Sequence, residues 1–257
     1  MRTVVITGSA SGIGLATAEI LRDRGDRVIG VDLHDAEVVA DLSTVAGRAA
    51  MVEDVRALSG GTIDAVVANA GLALSSPATV AVNFYGCVAT LDGLRPLLVG
   101  SSAPRAALTS SMASLMPHDD LLVELALAGD ESKALERAQE LVDADLGALI
   151  YSSTKVALSR WMRRHAATPE WAGTGIPLNG IGPGIVETPM TADLIASEEQ
   201  RAAMADVVPM PLNGYMQAEV PARLLAWLVS EENTHVCGQL VFVDGGSDVV
   251  IRGDSTW

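Results

Sequence analysis

The sequence predicts an α/β fold of doubly wound architecture, a parallel sheet covered by helices on both faces, and three observations carry that prediction. Apolar runs rich in Val, Ile, Leu and Ala recur at Thr3–Thr7, Arg27–Asp32, Asp64–Asn69, Arg105–Ser110, Leu178–Gly182 and Gln239–Val243 of the 257-residue chain. Longer segments of helical period separate them, the alternation expected of strand-helix units. The runs lack polar alternation, as strands buried on both faces do. No Pro/Gly/Ser-rich linker, low-complexity tract or internal repeat marks a boundary, so one domain spanning 1–257 is expected.

The first strand ends in Thr7-Gly8-Ser9-Ala10-Ser11-Gly12-Ile13-Gly14 and passes straight into a helical pattern through Arg24. Glycines there allow a tight turn and close backbone approach, while the helix N-terminus offers free N–H groups and a positive dipole to a pyrophosphate. Gly8, Ser11, Gly12, Ile13 and Gly14 are the candidate cradle. The second strand ends in Asp32, where a carboxylate can accept hydrogen bonds from ribose hydroxyls. Leu33 and His34 follow, with no Arg or Lys to hold a 2′-phosphate, which favours NAD over NADP.

Two stretches interrupt the rhythm. Residues 112–150 separate the strand at 105–110 from a helix expected to begin near Tyr151, and hold two amphipathic patterns joined at Gly129-Asp130. Leu121, Leu122 and Leu125 share one face of the first; Leu135, Ala138, Leu141 and Val142 share one face of the second. This helical insertion is either packed surface structure or a lid or subunit contact, with Leu115, Met116 and Pro117 at the entrance of a site. Asp119-Asp120 read as capping residues for the first helix. The second stretch, from Thr188 to about Pro211, offers Met190, Leu194, Ile195, Met204, Val207, Val208 and Met210 beyond a strand end. Ligands of open α/β sheets bind outside the carboxyl ends of the strands, so this Met-rich segment is placed to cover an apolar substrate.

Tyr151 and Lys155 lie one helical turn apart and share a helix face. A phenol, with a pKa near ~10, is a poor base at neutral pH, but an adjacent ammonium favours the phenolate. Such a pair can exchange a proton with a hydroxyl or carbonyl.

Composition removes other function classes. Lys plus Arg number 17 against 32 Asp plus Glu, a net charge of −15 that repels nucleic acid and anionic membrane surfaces. No apolar run approaches the ~18 residues of a membrane span. The opening MRTVVITG lacks the apolar segment and cleavage site of a signal peptide, so a cytoplasmic location is expected. Cys87 and Cys237 are expected to be reduced, buried thiols. His34, His118, His165 and His235 form no metal-ligand spacing, no Gly-x-Ser-x-Gly elbow occurs, and no metal is expected.

Taken together, several motifs resemble the short-chain dehydrogenases/reductases from Arg2 to Gly246. They are Gly8, Gly12 and Gly14; Asn69-Ala70-Gly71 after the strand at 64–69; Asn83 in the following helix; Ser110-Ser111; and Tyr151-Ser-Ser-Thr-Lys155. Pro183-Gly184, Thr188 and Asp244-Gly245-Gly246 complete the set. The resemblance implies a Rossmann-like fold with Tyr151 as acid/base and Lys155 supporting its phenolate and holding the nicotinamide ribose. It further implies that Ser111 orients the substrate oxygen and that Asn83 supports a proton relay. Ser111 is preferred to Ser110 because the family's serine is usually the second of such a pair, and neighbours on a strand face opposite ways. The chain departs from the family in the long insertion between Ser111 and Tyr151. That insertion, with the stretch Asp35–Thr44, resembles the subgroup of bacterial 3α-hydroxysteroid dehydrogenases/carbonyl reductases. In that subgroup Asp32 would bind ribose, Asp41 and Leu42 the adenine, Asn69 and Gly71 the neighbouring cofactor backbone, and Thr188 with the main chain near Ile185 the nicotinamide amide. The expectation is an NAD-dependent enzyme, a homodimer or homotetramer, that interconverts a secondary alcohol and a ketone on a small apolar alicyclic or steroid-like substrate. An aryl or terpene alcohol dehydrogenase and a non-catalytic dinucleotide sensor are the alternatives.

Overall fold

The computed structural model describes residues 1–255. Its main sheet is built from β1 (Thr3–Thr7), β2 (Arg27–Asp32), β3 (Val38–Val39), β4 (Ala65–Ala68), β5 (Arg105–Thr109), β6 (Leu178–Pro183) and, after two strands outside the sheet, β9 (Leu240–Val243). All neighbours are parallel, in the order β3-β2-β1-β4-β5-β6-β9. The chain moves outward from β1 to β3 and then returns to β4 on the other side of β1. The order therefore reverses between β1 and β4, where Thr7 pairs with Ala68, and a crevice opens there at the carboxyl ends.

Two apolar layers cover the sheet. On one face α1 (Gly12–Asp23) packs against α9 (Glu219–Leu228), burying Ala18, Leu21, Leu225 and Leu228 with Val4, Ile6 and Val67 of the strands. On the other, α2 (Val45–Ser59), the short α3 (Pro77–Val80), α4 (Cys87–Leu98) and α7 (Ala148–His165) bury Met51, Leu91, Leu94, Val156 and Trp161. Each such Leu or Ile contributes roughly 1.5–3 kcal/mol relative to leaving it in water. Strand sequences without polar alternation are thus matched by helices on both sides. The exception is β9, an edge strand whose four residues are only half-buried.

The insertion folds as α5 (Asp120–Leu127) and α6 (Glu131–Asp143), and α7 begins at Ala148, one turn ahead of Tyr151. Asp119 caps α5 by accepting from the Leu122 N–H at 2.8 Å. The expected apolar face of α5 needs correction: Leu122, Val123 and Ala126 are buried, whereas Leu121 is 48% exposed. The reason is packing direction, since α5 lies on α7 within its own chain and turns that side inward. On α6, Ala134, Ala138 and Leu141 are buried. The hairpin's apolar faces are thus covered internally.

The stretch after β6 contains β7 (Val186–Glu187), α8 (Glu198–Val207) and β8 (Met216–Gln217), with β7 and β8 forming a separate small sheet. Ile195, Val208 and Met210 join Met112, Ile185, Val186 and Met216 in a third cluster, but Met190, Leu194 and Val207 stay exposed. After β9 the short α10 (Ser247–Arg252) closes the described chain. The very short β3, β7 and β8 were not foreseen, being too brief to leave a pattern. Of the two cysteines, Cys87 is buried and Cys237 only half-buried.

Candidate active site

The crevice at the switch point is a cleft of about 470 Å³, within the range of small-molecule sites. Its first wall is the turn from β1 into α1. Gly14 is forced by close approach, because a Cβ there would stand 1.9 Å from the Gly8 carbonyl oxygen. Gly12 has φ +52° and faces Thr188, whose Cγ2 would lie 3.2 Å from an added Cβ, so a side chain would fill the gap between turn and cover. Leu15 N–H is the first to close back onto Ser11, which leaves the N–H groups of Gly12, Ile13 and Gly14 without an intrahelical partner. The Asp32 carboxylate accepts from Ala10 N–H at 2.9 Å and Leu33 N–H at 2.7 Å, tying this turn to the end of β2. Asp41 and Leu42 line the far end of the cleft. Hydrogen bonds from Ser43 hold the Asp41 carboxyl below the ordinary aspartate range.

The second wall forms around α7. Lys155 is 4% exposed, yet its Nζ reaches the cleft, donates to the Thr109 carbonyl at 3.0 Å and lies 5.5 Å from the centre of the Tyr151 ring. Ser110 and Ser111 both border the cleft but differ in their bonds: Ser110 is buried, with its Oγ 2.9 Å from the Ser159 hydroxyl and 3.2 Å from the Lys155 carbonyl. Ser111 borders the cleft and caps the tight turn Met112–Leu115 by accepting from Ala113 N–H at 3.1 Å. Between the walls, Thr7 Oγ1 accepts the N–H groups of Asn69 and Ala70 at 3.0 and 3.1 Å and so seats the Asn69-Ala70-Gly71 turn.

Asn83 lies behind the cleft wall. It belongs to a π-helical turn, Ala81–Gly86, is 1% exposed and does not line the cleft. Its Oδ1 accepts from Leu72 N–H at 2.7 Å, and its Nδ2 donates to the Leu72 carbonyl at 2.9 Å and to Thr154 Oγ1 at 3.2 Å. With both ends of its amide engaged, the side chain acts on the cleft through Leu72 and Thr154. Ile185 is likewise buried, and its N–H points at the Met210 sulfur, while its neighbours Gly184 and Val186 form the cleft wall. Thr188 borders the cleft beside Met190, and Thr191 Oγ1 holds that loop through Val186 O and Thr188 N–H. Leu115, Met116 and Pro117 lie off the cleft; Met116 packs into the third apolar cluster and Pro117 O accepts from Ser152.

Thr109 and Thr154 were missed in the sequence. Thr109 joins the two halves of the site: its carbonyl takes Lys155, and its hydroxyl donates to Asn69 Oδ1 at 2.9 Å. Strand alternation was the available signal, since it places Thr109 on the same side as Ser111. Cys87, close enough to Lys155 to feel its charge, is pushed up to about 12 by burial and stays a thiol. Among the described residues no cluster of three or more His, Cys, Asp or Glu is arranged for a metal, and no helix is long and apolar enough to cross a membrane.

Comparison with known proteins gives the family. The short chain dehydrogenase model matches residues 2–123, and the enoyl-(acyl carrier protein) reductase model matches 137–248. The chain belongs to the short-chain dehydrogenase/reductase family. It is 35% identical to a 3-alpha-hydroxysteroid dehydrogenase/carbonyl reductase of Comamonas testosteroni, across 98% of each chain. It is 29% identical to a cis-4-hydroxycyclohexanecarboxylate dehydrogenase of Sinomonas cyclohexanicum, across 97% of each. Among solved structures, the 3-alpha-hydroxysteroid dehydrogenase of Pseudomonas sp. B-0831 in complex with NADH superposes with a TM-score of 0.90, at 36% identity and covering 98% of this chain and 99% of that one. This short-chain dehydrogenase/reductase is an oxidoreductase, and the residues between the two family matches, 124–136, fall in its α5–α6 hairpin.

Proposed function

We propose that the protein is an NAD-dependent dehydrogenase that interconverts a secondary alcohol and a ketone on an apolar, alicyclic or steroid-like substrate. The observation that carries this reading is the single cleft in which the glycine turn, Asp32, Ser111, Tyr151 and Lys155 meet. Gly8, Ser11, Gly12, Ile13 and Gly14 would hold the dinucleotide phosphates, Asp32 the adenosine ribose, and Asp41 with Leu42 the adenine. Asn69, Gly71 and Thr188 with the backbone at Gly184–Val186 would border the nicotinamide half. When bound, the nicotinamide accepts or returns the hydride. Tyr151 takes the substrate hydroxyl proton as the carbonyl forms and gives it back in the reverse direction. Lys155, fixed by Thr109, places a cation beside the phenol, and Ser111 offers a hydroxyl to the substrate oxygen. Asn83 keeps the Leu72 backbone and Thr154 in place. The negative Asp32 beside the turn disfavours a 2′-phosphate.

Leu72, Ala78, Val82, Val186 and Met190 give the cleft an apolar wall, which suits an apolar ring system. The similarity to enzymes named for hydroxysteroids and a hydroxycyclohexane carboxylate supports an alicyclic alcohol. The free thiols Cys87 and Cys237 fit a reducing cytoplasm. A homodimer or homotetramer is supported by the half-buried edge strand β9 and by Val249 and Val250 of α10, 69% and 57% exposed, rather than by the hairpin.

The test is a panel of hydroxysteroids, cyclohexanols, terpene and aryl alcohols with their ketones, followed by nicotinamide absorbance with NAD and NADP in parallel. Turnover of alicyclic substrates with NAD preferred is expected, and Tyr151→Phe should lower it at least ~10²-fold while NADH still binds. Preference for aryl or terpene alcohols would replace the substrate class. Binding of NADH without turnover of any member would leave a sensor.

A further inference from the structure

The three residues between Tyr151 and Lys155 all carry hydroxyls, and each ties α7 to another element. Thr154 accepts from Asn83. Ser152 Oγ donates to the Pro117 carbonyl at 2.6 Å, and Ser153 Oγ accepts the Asp119 N–H at 2.9 Å while donating to Leu149 O at 2.7 Å. The segment Pro117–Asp119 is therefore seated on α7 beside Tyr151. The same segment continues directly from the turn Met112–Leu115 that Ser111 caps. One short stretch of chain thus connects the serine of the site to the helix of the tyrosine.

Asp119 is held by the hairpin. Arg137 of α6 grips its carboxylate with two donors, Nε to Oδ1 at 3.1 Å and Nη2 to Oδ2 at 2.8 Å. The side chains are 14% exposed for Asp119 and 27% for Arg137, so this forked pair is shielded more than an ordinary surface bridge. The Asp119 carboxylate also accepts the Leu122 N–H, which caps α5. At the other end of α6, Glu131 pairs with the buried Arg48 of α2 at 2.7 Å. Besides its apolar packing, the hairpin is thus pinned by ion pairs at two places, and of these two only the Asp119–Arg137 pair joins the segment bonded to Ser152 and Ser153 beside Tyr151.

We propose that Asp119 and Arg137 are positioning residues for the acid/base chemistry. Their forked pair fixes Pro117–Asp119 on Ser152 and Ser153 and thereby sets Ser111 relative to Tyr151, while touching neither substrate nor cofactor. The assignment rests on the dehydrogenase reading above. Its chemical consequence is specific: the residues proposed for the phosphates and the adenosine ribose lie on β1, β2 and α1, away from this brace, so loosening the brace lowers turnover far more than cofactor affinity. A small displacement is sufficient, because a ~1 Å misplacement caused by a remote mutation can cost ~10²-fold in rate.

Steady-state kinetics on Arg137→Gln, Asp119→Asn, the double variant and Glu131→Gln tests this. Asn remains a good helix N-cap, so Asp119→Asn removes the ion pair while preserving the start of α5. Each brace variant is expected to lower kcat by about 10-fold or more with KM for NAD changed less than about twofold. The double variant should be no worse than the singles, as for two residues acting as one unit. Glu131→Gln should lower the melting temperature and leave kcat alone. A kcat unchanged in Arg137→Gln, or lowered equally by Glu131→Gln, overturns the proposal by reducing the pair to general support of the hairpin. Amide hydrogen exchange supplies a readout independent of turnover: residues 148–155 should exchange faster in Arg137→Gln than in Glu131→Gln. Equal protection overturns the brace even if the unaltered protein turns over no tested alcohol, an outcome that speaks to the dehydrogenase reading alone.

Discussion

The hairpin α5–α6 and the cover helix α8 both depart from the strand-helix alternation, and they are held in opposite ways. The hairpin places Leu122, Val123, Ala126, Ala134, Ala138 and Leu141 in the main core. By contrast, α8 buries none of its residues. Its start is secured locally by a reciprocal capping box, with Gln200 N–H on Ser197 Oγ at 3.1 Å and Ser197 N–H on Gln200 Oε1 at 2.9 Å. A polar latch then fastens it: Arg201 pairs with Glu187 at 2.9 Å, Tyr215 donates its hydroxyl to Arg201 O at 2.6 Å, and Gln217 also donates to Glu187. A helix seated by apolar burial is committed to one position, whereas a helix seated by exposed polar contacts can open over a ligand. The hairpin is therefore fixed by the core, whereas α8 rests on surface polar contacts and the partly buried Met204.

Core truncation gives the largest contrast. Leu122→Ala, at a site 1% exposed, should destabilise by about 2–5 kcal/mol in denaturant titration, whereas Leu121→Asp on the adjoining, exposed position should stay within about 0.5 kcal/mol. Equal losses would show that α5 turns a different face inward. Acid should weaken the hairpin next. Arg137 holds the Asp119 carboxyl below its ordinary value of 3.8, so its contribution is present above that value and lost as pH falls through the lower folded-state value. The stability gap between the unaltered protein and Asp119→Asn should accordingly be flat near neutrality and close below about pH 3.8. A gap that widens on acidification would break the assignment. The smallest effect belongs to the cover. Arg201→Gln should leave the melting temperature nearly unchanged and raise KM for a bulky alcohol more than for a small one, measured with both under saturating NAD. A large fall in melting temperature would make α8 part of the fold rather than a cover.

The strands were legible because a sheet buried on both faces leaves continuous apolar runs, and the glycine turn because backbone approach at Gly14 admits no side chain. The orientation of α5 was not legible: Leu121, Leu122, Val123 and Leu125 lie within one helical turn, and only packing on α7 decides which faces inward. The motifs led to residues that do line one cleft, among them Gly8, Gly12, Asp32, Tyr151 and Lys155, with Ser110 and Ser111 both on its border. What the motifs could not convey was the direction of the Asn83 amide, since a residue's place in a helix does not say which backbone it will clamp. The supporting hydroxyls of Thr109 and Thr154 escaped notice for the same reason, because their partners come from distant segments of the chain.

One feature of the phosphate turn bears on how the protein must be handled. Helices α5, α6 and α8 begin with Asp119, Asp130 and Ser197 bonded to their first amides and with acidic residues in the first turn. Helix α1 has neither, since Ser11 makes no side-chain cap and its first turn holds no acid. In a chain of net charge −15, the positive end of this helix has no acid on its own first turn, and the nearest carboxylate, Asp32, is taken up by the Ala10 and Leu33 N–H groups. On the dehydrogenase reading proposed above, small oxyanions of the buffer should compete for the same amides: inorganic phosphate or sulfate is expected to raise the apparent KM for the dinucleotide at constant ionic strength, and chloride far less. Purification and assay in phosphate would understate cofactor affinity, so the medium belongs among the variables of every measurement proposed above.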